Sequence, residues 1–285
     1  MLNENQNINQ ESKANTNQHQ KFTIFCGTYE GAILGLGGDL TNLTLKYAFK
    51  PSTNSLKSMD ITNKYLIVGG FDEYLRIYDL KRQRECGILE GHTGTITSLK
   101  CHKSIAFSSG EDGFIMVWKM KEFALLHRLK EHKSQVNDIA VHESGKILVS
   151  ISKDQKLFIW NLLNGTKAYS MNLKYNAYRV EINNEYILTM SDQALYVIDQ
   201  QTNKQLFQLK QEDPVTINDF CVYNNKYVLI GEFNEITQNQ ELKDVKPIYK
   251  VETLNRLNCL AIYMDLVPEK SSKIIIIEKR VTFQE

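Results

Sequence analysis

The 285-residue chain has few of the features that mark membrane, redox or secreted proteins. No apolar run approaches the roughly 20 residues that a membrane-spanning helix needs, and the N-terminus lacks the apolar core of a secretory signal. The five cysteines are scattered and form no Cys-x-x-Cys pair, which favours reduced thiols in the cytosol or nucleus; they are Cys26, Cys86, Cys101, Cys221 and Cys259. These absences predict a soluble intracellular protein with no membrane partner.

The net charge is close to zero, and catalytic motifs are absent from the sequence. The 34 basic and 33 acidic residues leave a formal charge of +1, so the protein as a whole does not attract nucleic acid. The six histidines show no metal-ligand spacing, and neither a nucleophile elbow nor a phosphate-binding loop is present. The glycines at 35, 37 and 38 precede no helical pattern, so they predict a hairpin turn. We expect a non-enzymatic protein with no cofactor, metal or small-molecule substrate.

What the chain does contain is a repeated block. Residues 91–118 carry a Gly-His pair, two short strands, a tight-turn aspartate and a third strand that ends in a tryptophan. Residues 131–160 repeat this order, with Glu131-His132 in place of the Gly-His pair. In both blocks the aspartate precedes the tryptophan by six residues. This pattern is typical of WD40 repeats, in which His, Ser, Asp and Trp form one buried structural network. The predicted members are His92, Ser108, Asp112 and Trp118, then His132, Ser150, Asp154 and Trp160.

A longer periodicity predicts the architecture. Six segments place apolar residues at positions i, i+3 and i+5, and their starts lie 40 or 41 residues apart, at Leu56, Ile96, Val136, Ala177, Ile217 and Leu257. A four-stranded propeller blade takes about 40–45 residues. The sequence therefore predicts an all-β WD40 β-propeller of about six blades. The N-terminal strands lack a first strand and the segment at 257–263 lacks a following blade, so we expect N- and C-terminal strands to pair in one blade and close the ring.

The remaining segments have distinct compositions. Residues 1–21 are rich in Asn and Gln, which predicts a disordered tail. Residues 22–263 form the predicted propeller, and residues 264–285 form a C-terminal tail whose four consecutive isoleucines predict an added strand or a buried end-piece. The stretch ITQNQE at 236–241 is too polar for an inner third strand, so we expect the sixth blade to be incomplete between residues 236 and 244.

The residues between the repeat signatures resemble one family in particular. The stretches CGTYEGAILG, YLIVGGFDEYLRIYDLKRQRECGILEGHTGTITSLKC, SSGEDGFIMVWKMKEF, HKSQVNDIAVHESGKILVSISKDQKLFIWNLLNGTKAY and LNRLNCLAIY resemble the p21-activated-kinase-interacting proteins. The fungal counterpart of that family is a nucleolar factor of large-ribosomal-subunit assembly. The resemblance covers residues 22–263. The resemblance implies seven blades, so we expect that one repeat's worth of sequence is absent here between Phe233 and Pro247.

This resemblance implies a WD40 scaffold that binds large-subunit (pre-60S) precursors in the nucleolus, within the nucleus. Binding would use ribosomal proteins and assembly factors, with direct contact to ribosomal RNA as an open alternative. Two other functions stay open: restraint of a p21-activated-type kinase, and a scaffold role in another complex. Partner contacts are expected in the loops before the first strands, at Thr93, Thr95, Lys133, Gln135, Tyr175 and Asn176.

Overall fold

The computed structural model describes residues 22–38, 43–50, 54–192, 194–210, 217–223, 227–232 and 257–264, and these residues contain β-strands and no helix. The strands are β1 Phe22–Thr28, β2 Ile33–Gly38, β3 Leu43–Phe49, β4 Leu56–Ile61, β5 Tyr65–Gly70, β6 Leu75–Asp79, β7 Arg84–Leu89, β8 Ile96–His102, β9 Ile105–Gly110, β10 Ile115–Lys119, β11 Ala124–Leu129, β12 Val136–Val141, β13 Ile147–Ser152, β14 Lys156–Asn161, β15 Thr166–Asn172, β16 Arg179–Ile182, β17 Tyr186–Met190, β18 Ala194–Asp199, β19 Gln205–Lys210, β20 Ile217–Tyr223, β21 Tyr227–Glu232 and β22 Leu257–Met264.

The strands form six antiparallel sheets within the described residues. Sheet I has the order β22-β1-β2-β3, sheets II to V comprise β4–β7, β8–β11, β12–β15 and β16–β19, and sheet VI comprises β20 and β21. Five of the six predicted first strands begin at the predicted residue, and β16 begins two residues late, at Arg179. The all-β architecture predicted from the 40-residue period is confirmed, and its sheets are consistent with a β-propeller.

Sheet I joins the two ends of the chain. The C-terminal strand β22 pairs antiparallel with β1, with Ile24 opposite Ile262. This is the strand pairing that the sequence predicted, while ring closure and blade number stay predictions. The predicted disordered tail, the polar segment at 236–244 and the isoleucine run lie outside the described residues. Met264, the first residue of the predicted C-terminal tail, is the last residue of β22.

One glycine-rich segment differs from its prediction. Gly35, Gly37 and Gly38 lie within β2 and not in a turn. A Cβ at Gly35 would come within 2.5 Å of the Tyr47 side chain on β3. Glycine at this position therefore allows close strand-to-strand packing.

The first strands of sheets II and III run parallel and are joined by hydrogen bonds. The Leu99 N–H donates to Ser58 Oγ at 2.8 Å, and the Cys101 N–H donates to Asp60 Oδ2 at 2.6 Å. The partner residues advance by two along both strands, so β4 and β8 point the same way. These N–H groups lie on the free edge of β8, where they would otherwise be unpaired.

The same coupling continues through Asp138 on β12. Its buried carboxylate accepts a hydrogen bond from Ser98 Oγ on β8 at 2.6 Å and another from the Val180 N–H on β16 at 2.9 Å. An ion pair also links β8 to β16 past β12, with Lys100 Nζ 2.7 Å from Glu181 Oε1. Burial lowers the pKa of Lys100, but the Glu181 carboxylate outweighs this and holds the pKa above its ordinary value.

Because the first strands are parallel, equivalent turns of sheets II to V lie at the same end of the molecule. The network end contains the turns between second and third strands and the connections into each first strand. The far end contains the turns between first and second and between third and fourth strands. In sheets II and III the described residues of the network end are 50, 54–55, 71–74, 90–95 and 111–114, and the far end comprises residues 62–64, 80–83, 103–104 and 120–123.

The apolar core lies between neighbouring sheets. Ile77 of sheet II packs with Ile96 and Trp118 of sheet III in one buried cluster. Phe107 of sheet III packs with Phe158 of sheet IV in the next. Such face-to-face packing buries both surfaces of each sheet, which a lone four-stranded meander cannot do. Among the described residues, no helix is long and apolar enough to cross a membrane.

We predict that Asp138→Ala lowers the free energy of unfolding by at least about 1–3 kcal/mol, because it leaves the buried Ser98 hydroxyl and Val180 N–H without their acceptor. Urea unfolding measures this change. The matched control is Asp192→Ala at an exposed turn position, which should change stability by less than about 0.5 kcal/mol. Equal effects of the two substitutions would show that Asp138 does not couple the sheets.

Candidate functional site

The four predicted network residues of sheet III lie within hydrogen-bonding distance of one another. His92 Nδ1 is 2.8 Å from Asp112 Oδ2, and His92 Nε2 is 2.8 Å from Ser108 Oγ. Trp118 Nε1 donates to the same Ser108 oxygen at 2.9 Å. An ionised carboxylate only accepts hydrogen bonds, so the His92 Nδ1 carries a proton, and Ser108 donates to Nε2 when the imidazole is neutral. The turn is held as well, since Asp112 accepts the Thr93 and Phe114 N–H groups.

Sheet IV repeats this arrangement. His132 Nε2 is 2.8 Å from Ser150 Oγ, and Trp160 Nε1 donates to Ser150 at 2.9 Å. His132 Nδ1 lies 3.2 Å from Asp154 Oδ2, a longer contact than its counterpart in sheet III. The imidazole also stacks on Phe158, with ring centroids 4.2 Å apart. The structure thus brings together both sets of four residues singled out from the sequence.

The Ser-His-Asp order has the connectivity of a hydrolase triad, but its surroundings do not suit catalysis. A nucleophilic serine must reach a substrate carbonyl and have donors for the developing oxyanion nearby. Ser108 has no exposed surface, and its oxygen is already hydrogen-bonded to Trp118 and His92. Ser150 is equally covered. Both sets therefore fix the turns and connections at the network end.

The electrostatics favour an ionised aspartate in both networks and, in sheet IV, a neutral His132. Burial raises the pKa of Asp112, but the hydrogen bond and charge of His92 together with the turn N–H groups outweigh it and lower the pKa. Asp154 behaves alike, because the Lys133 N–H and His132 outweigh burial. Burial lowers the pKa of His132, and Asp154 opposes this only in part.

In sheet V, different residues form the contacts that the histidine and serine form in sheets III and IV. Thr189, at the strand position of Ser150, lies 2.7 Å from the hydroxyl of Tyr175. The Tyr175 ring stacks on Tyr196 with centroids 3.6 Å apart, as His132 stacks on Phe158. Burial raises the pKa of Tyr175 to about 12. Tyr175 therefore acts as a structural substitute for the histidine, which its loop position did not indicate.

The predicted partner-contact residues differ widely in accessibility. Thr95 is only 6% exposed, so its side chain is covered and not available on this surface. Gln135 and Tyr175 are half-buried, and the Gln135 carbonyl accepts the Lys153 N–H. The exposed members are Thr93, Lys133 and Asn176. They all lie at the network end, in three consecutive connections.

Sequence reasoning missed the most exposed apolar residues of the network end. Phe71 and Tyr74, in the turn between β5 and β6, are 48% and 41% exposed. Acidic residues lie at this end of sheets II and III, with Glu73 in the same turn and Glu90 and Glu111 exposed. One cation is also present, since Lys57 Nζ lies 5.1 Å from the centroid of the Phe71 ring. Two acidic residues between two aromatic residues in this turn were visible in the sequence. Only the fold places the turn at the same end as Glu90 and Glu111.

A shallow cleft of about 550 Å³ opens between sheets III and IV at this end. Its lining mixes acidic and basic residues, including Glu111, Lys130, Glu131 and Lys133. The cleft lacks the apolar lining typical of small-molecule sites. Within the described part of the chain, no group of three or more His, Cys, Asp or Glu side chains could hold a metal ion.

The repeats and their networks define a WD40-repeat protein built of antiparallel sheets. The family model described as "WD domain, G-beta repeat" matches residues 83–119 and 123–161. These ranges contain three of sheet IV's four strands, β12 to β14, and both tryptophans of the networks, while β15 lies outside them.

Within that class, the chain is similar to the p21-activated-kinase-interacting proteins. It is 35% identical to "p21-activated protein kinase-interacting protein 1-like" of Gallus gallus, over 55% of this chain and 44% of that protein. It is 35% identical to the Danio rerio protein of the same name, over 63% of this chain and 51% of that protein. It is 33% identical to "Protein MAK11" of Saccharomyces cerevisiae, over 55% and 45%. The chain spans about half the length of these relatives, and the resemblance recognised from the sequence is confirmed.

We predict that Asp112→Ala and Asp154→Ala each destabilise the protein by about 1–3 kcal/mol for every buried group left without an acceptor. Thermal melting measures the loss. Asp72→Ala is the control, since Asp72 occupies the equivalent turn of sheet II but pairs only with the partly exposed Arg76, and its loss should cost under about 1 kcal/mol. Unchanged melting together with lost partner binding would identify these aspartates as contact residues.

A second prediction concerns pH. The pKa of His132 is lower in the folded protein than in the unfolded chain. As pH drops below about 6.5, the unfolded chain therefore binds a proton at this histidine more readily than the folded protein does, and the free energy of unfolding should fall. The aspartates, whose pKa values are also lowered, add a further loss only near and below about pH 4.

The measurement is the melting temperature of wild type, His132→Asn and His102→Asn between about pH 7.5 and 5.5. His102 is included because burial, helped by Lys103, lowers its pKa too, against the opposing charge of Glu143. Each variant should show a shallower dependence than wild type. A slope unchanged by His132→Asn would mean that this histidine is not held neutral by the fold.

Proposed function

We propose that this protein is a non-catalytic WD40 scaffold that acts in assembly of the large ribosomal subunit, in the nucleolus, with its sheets closed as a six-bladed ring. The support is its similarity to Protein MAK11 and the p21-activated protein kinase-interacting proteins, together with the sequence resemblance to a nucleolar assembly factor. Pre-60S proteins are its partners in this proposal.

The observation that carries a binding function is the aromatic and acidic surface at the network end of sheets II and III. Exposed Phe71 and Tyr74 supply apolar contact area, and Glu73, Glu90 and Glu111 supply negative charge at the same end. Lys57, over the Phe71 ring, is the cation nearest to these aromatic residues in the described contacts. Aromatic residues are enriched at interface centres. Such a surface fits a basic protein segment with apolar side chains, which is the chemistry expected of a protein that neutralises RNA.

The sheet III network fixes the part of this surface that carries Glu90 and Glu111. His92 and Asp112 fix the connection and the turn of sheet III by direct hydrogen bonds, so little conformational entropy is lost when a partner docks. The buried serines leave the networks themselves without a role in chemistry. A scaffold needs only this combination of fixed turns and exposed contact residues.

The second candidate function is regulation of a p21-activated-type kinase. The specific observation in its favour is the printed name of the vertebrate relatives, which describes kinase interaction. The same network-end surface would then receive a kinase segment. The two functions differ in which molecules co-purify with the protein, so one experiment separates them.

The test is affinity purification of the tagged full chain, with identification of the bound proteins and RNA. We expect large-subunit precursors, and we expect depletion to lower large-subunit levels relative to small-subunit levels. Normal subunit ratios with a co-purifying p21-activated-type kinase would overturn the assembly function in favour of the regulatory one.

A matched pair of variants locates the binding surface. Phe71→Ser combined with Tyr74→Ser should lose most of the co-purifying proteins, because a buried aromatic at an interface contributes about 2 kcal/mol or more. Leu163→Ser is the control, since Leu163 is 72% exposed at the far end of sheet IV. Equal retention of partners by both variants would exclude the network end of sheet II as the docking site.

A further inference from the structure

The near-zero net charge of the chain conceals a strong polarity in sheets II and III. Their network-end segments 71–74, 90–95 and 111–114 contain five acidic residues and no Lys or Arg: Asp72, Glu73, Glu90, Glu111 and Asp112. The connection into β4 adds one basic residue, Lys50. Their far-end turns contain five basic residues and one acidic residue. The basic residues are Lys64, Lys81, Arg82, Lys103 and Lys121, and all five are exposed. Sheets IV and V show no such separation, since Lys146 and Lys204 are offset there by Glu143 and Glu185.

These far-end cations form one continuous surface across two sheets. Phe123, in the turn that carries Lys121, packs edge-on against Tyr65 of sheet II at 5.4 Å between ring centroids. Lys64 Nζ lies over the same Tyr65 ring at 4.8 Å. Leu80, next to Lys81, donates its N–H to the Lys64 carbonyl at 3.1 Å. Contacts therefore link the turns at 62–64, 80–83 and 120–123, which we name the basic surface together with 103–104.

The carboxylates near this surface are bonded to groups other than the side-chain cations of the surface. Asp79 is buried and accepts the N–H groups of Lys81 and Arg82. Glu122 pairs with Lys119 at 2.8 Å. No ion pair joins Lys81, Arg82, Lys103 or Lys121 to a carboxylate among the described residues. Their charges remain available to a ligand.

The turns are also rigid in shape. Gln83, Lys103 and Phe123 adopt positive φ angles of 53°, 55° and 52°, and the Gln83 N–H donates to the Asp79 carbonyl at 2.8 Å. Non-glycine residues hold this conformation only where the surrounding structure fixes it. The cations therefore project from defined positions and not from a flexible tail.

We propose that the basic surface binds the phosphate backbone of RNA. This inference rests on the proposed function, because a large-subunit precursor supplies the RNA. Charge complementarity favours it: five exposed cations spread over two sheets match a line of phosphates, which bind through Lys and Arg without apolar contacts. An acidic protein segment would need an apolar centre as well, and none of the large exposed apolar residues lies in these four turns.

The test uses the full-length chain and a fluorescein-labelled RNA hairpin of about 30 nucleotides, titrated by fluorescence anisotropy between about 50 and 200 mM KCl. The test variant carries Lys64→Gln, Lys81→Gln, Arg82→Gln and Lys121→Gln. The control variant removes the same charge from exposed lysines outside the basic surface, with Lys130→Gln, Lys153→Gln, Lys174→Gln and Lys204→Gln. Lys130 is a close match for Lys64, since it also lies over an aromatic ring, that of Phe114.

We expect the test variant to bind at least about tenfold more weakly and with a shallower salt dependence, because each lost phosphate contact removes about 0.7–0.9 from the logarithmic slope. The control variant should stay within about twofold. Both should melt like wild type, since all eight residues are exposed. Crosslinking of RNA to the wild-type protein should place the crosslinks in residues 62–65 and 120–123.

Three results would overturn the inference: no RNA binding by wild type, equal weakening in both variants, or displacement of RNA by poly-glutamate as efficiently as by unlabelled RNA. The last result would assign the surface to an acidic protein segment. Co-purification with large-subunit precursors is scored separately. Precursor association without RNA binding would refute this surface alone, whereas RNA binding without precursor association would refute the proposed function alone.

Discussion

Hydrogen bonds from side chains to the free edges of neighbouring first strands are the interaction on which the remaining geometry depends. A four-stranded meander leaves its first strand with unpaired N–H groups. Ser58, Asp60 and Asp138 accept those groups from the next sheet along the chain. The sheets are thereby set in the same direction and in step. A network end and a basic surface exist only because this coupling gathers equivalent turns from several sheets.

Features carried by local pattern could be predicted from the sequence. The apolar spacing placed five first strands at their observed starting residue, and the Asp-to-Trp interval placed His92 and Asp112 within reach of each other. The pairing of β1 with β22 followed from counting strands at both ends of the chain. These predictions succeed because each repeat must satisfy the same turn and strand geometry within about 40 residues.

Features that depend on residues close in space but not in local pattern could not be predicted from the sequence. Tyr175 occupies the place of a histidine only because Thr189 and Tyr196 receive its hydroxyl and its ring, and no spacing rule pairs those residues. Gly37 and Gly38 were predicted to form a turn, because glycine favours turns and tight strand packing alike. The charge polarity of sheets II and III was hidden as well, since acidic and basic turns alternate along the chain and cancel in any sequence window.

The Lys100–Glu181 ion pair has a mechanical consequence. It connects the first strands of sheets III and V and passes over the one between them, while Asp138 holds that middle strand to both neighbours. Three consecutive sheets are thus braced as a single wedge with two independent sets of ties. A hinge cannot open at either junction inside the wedge without breaking a buried polar contact. We therefore expect any movement between sheets on partner binding to occur at the junctions outside sheets III to V.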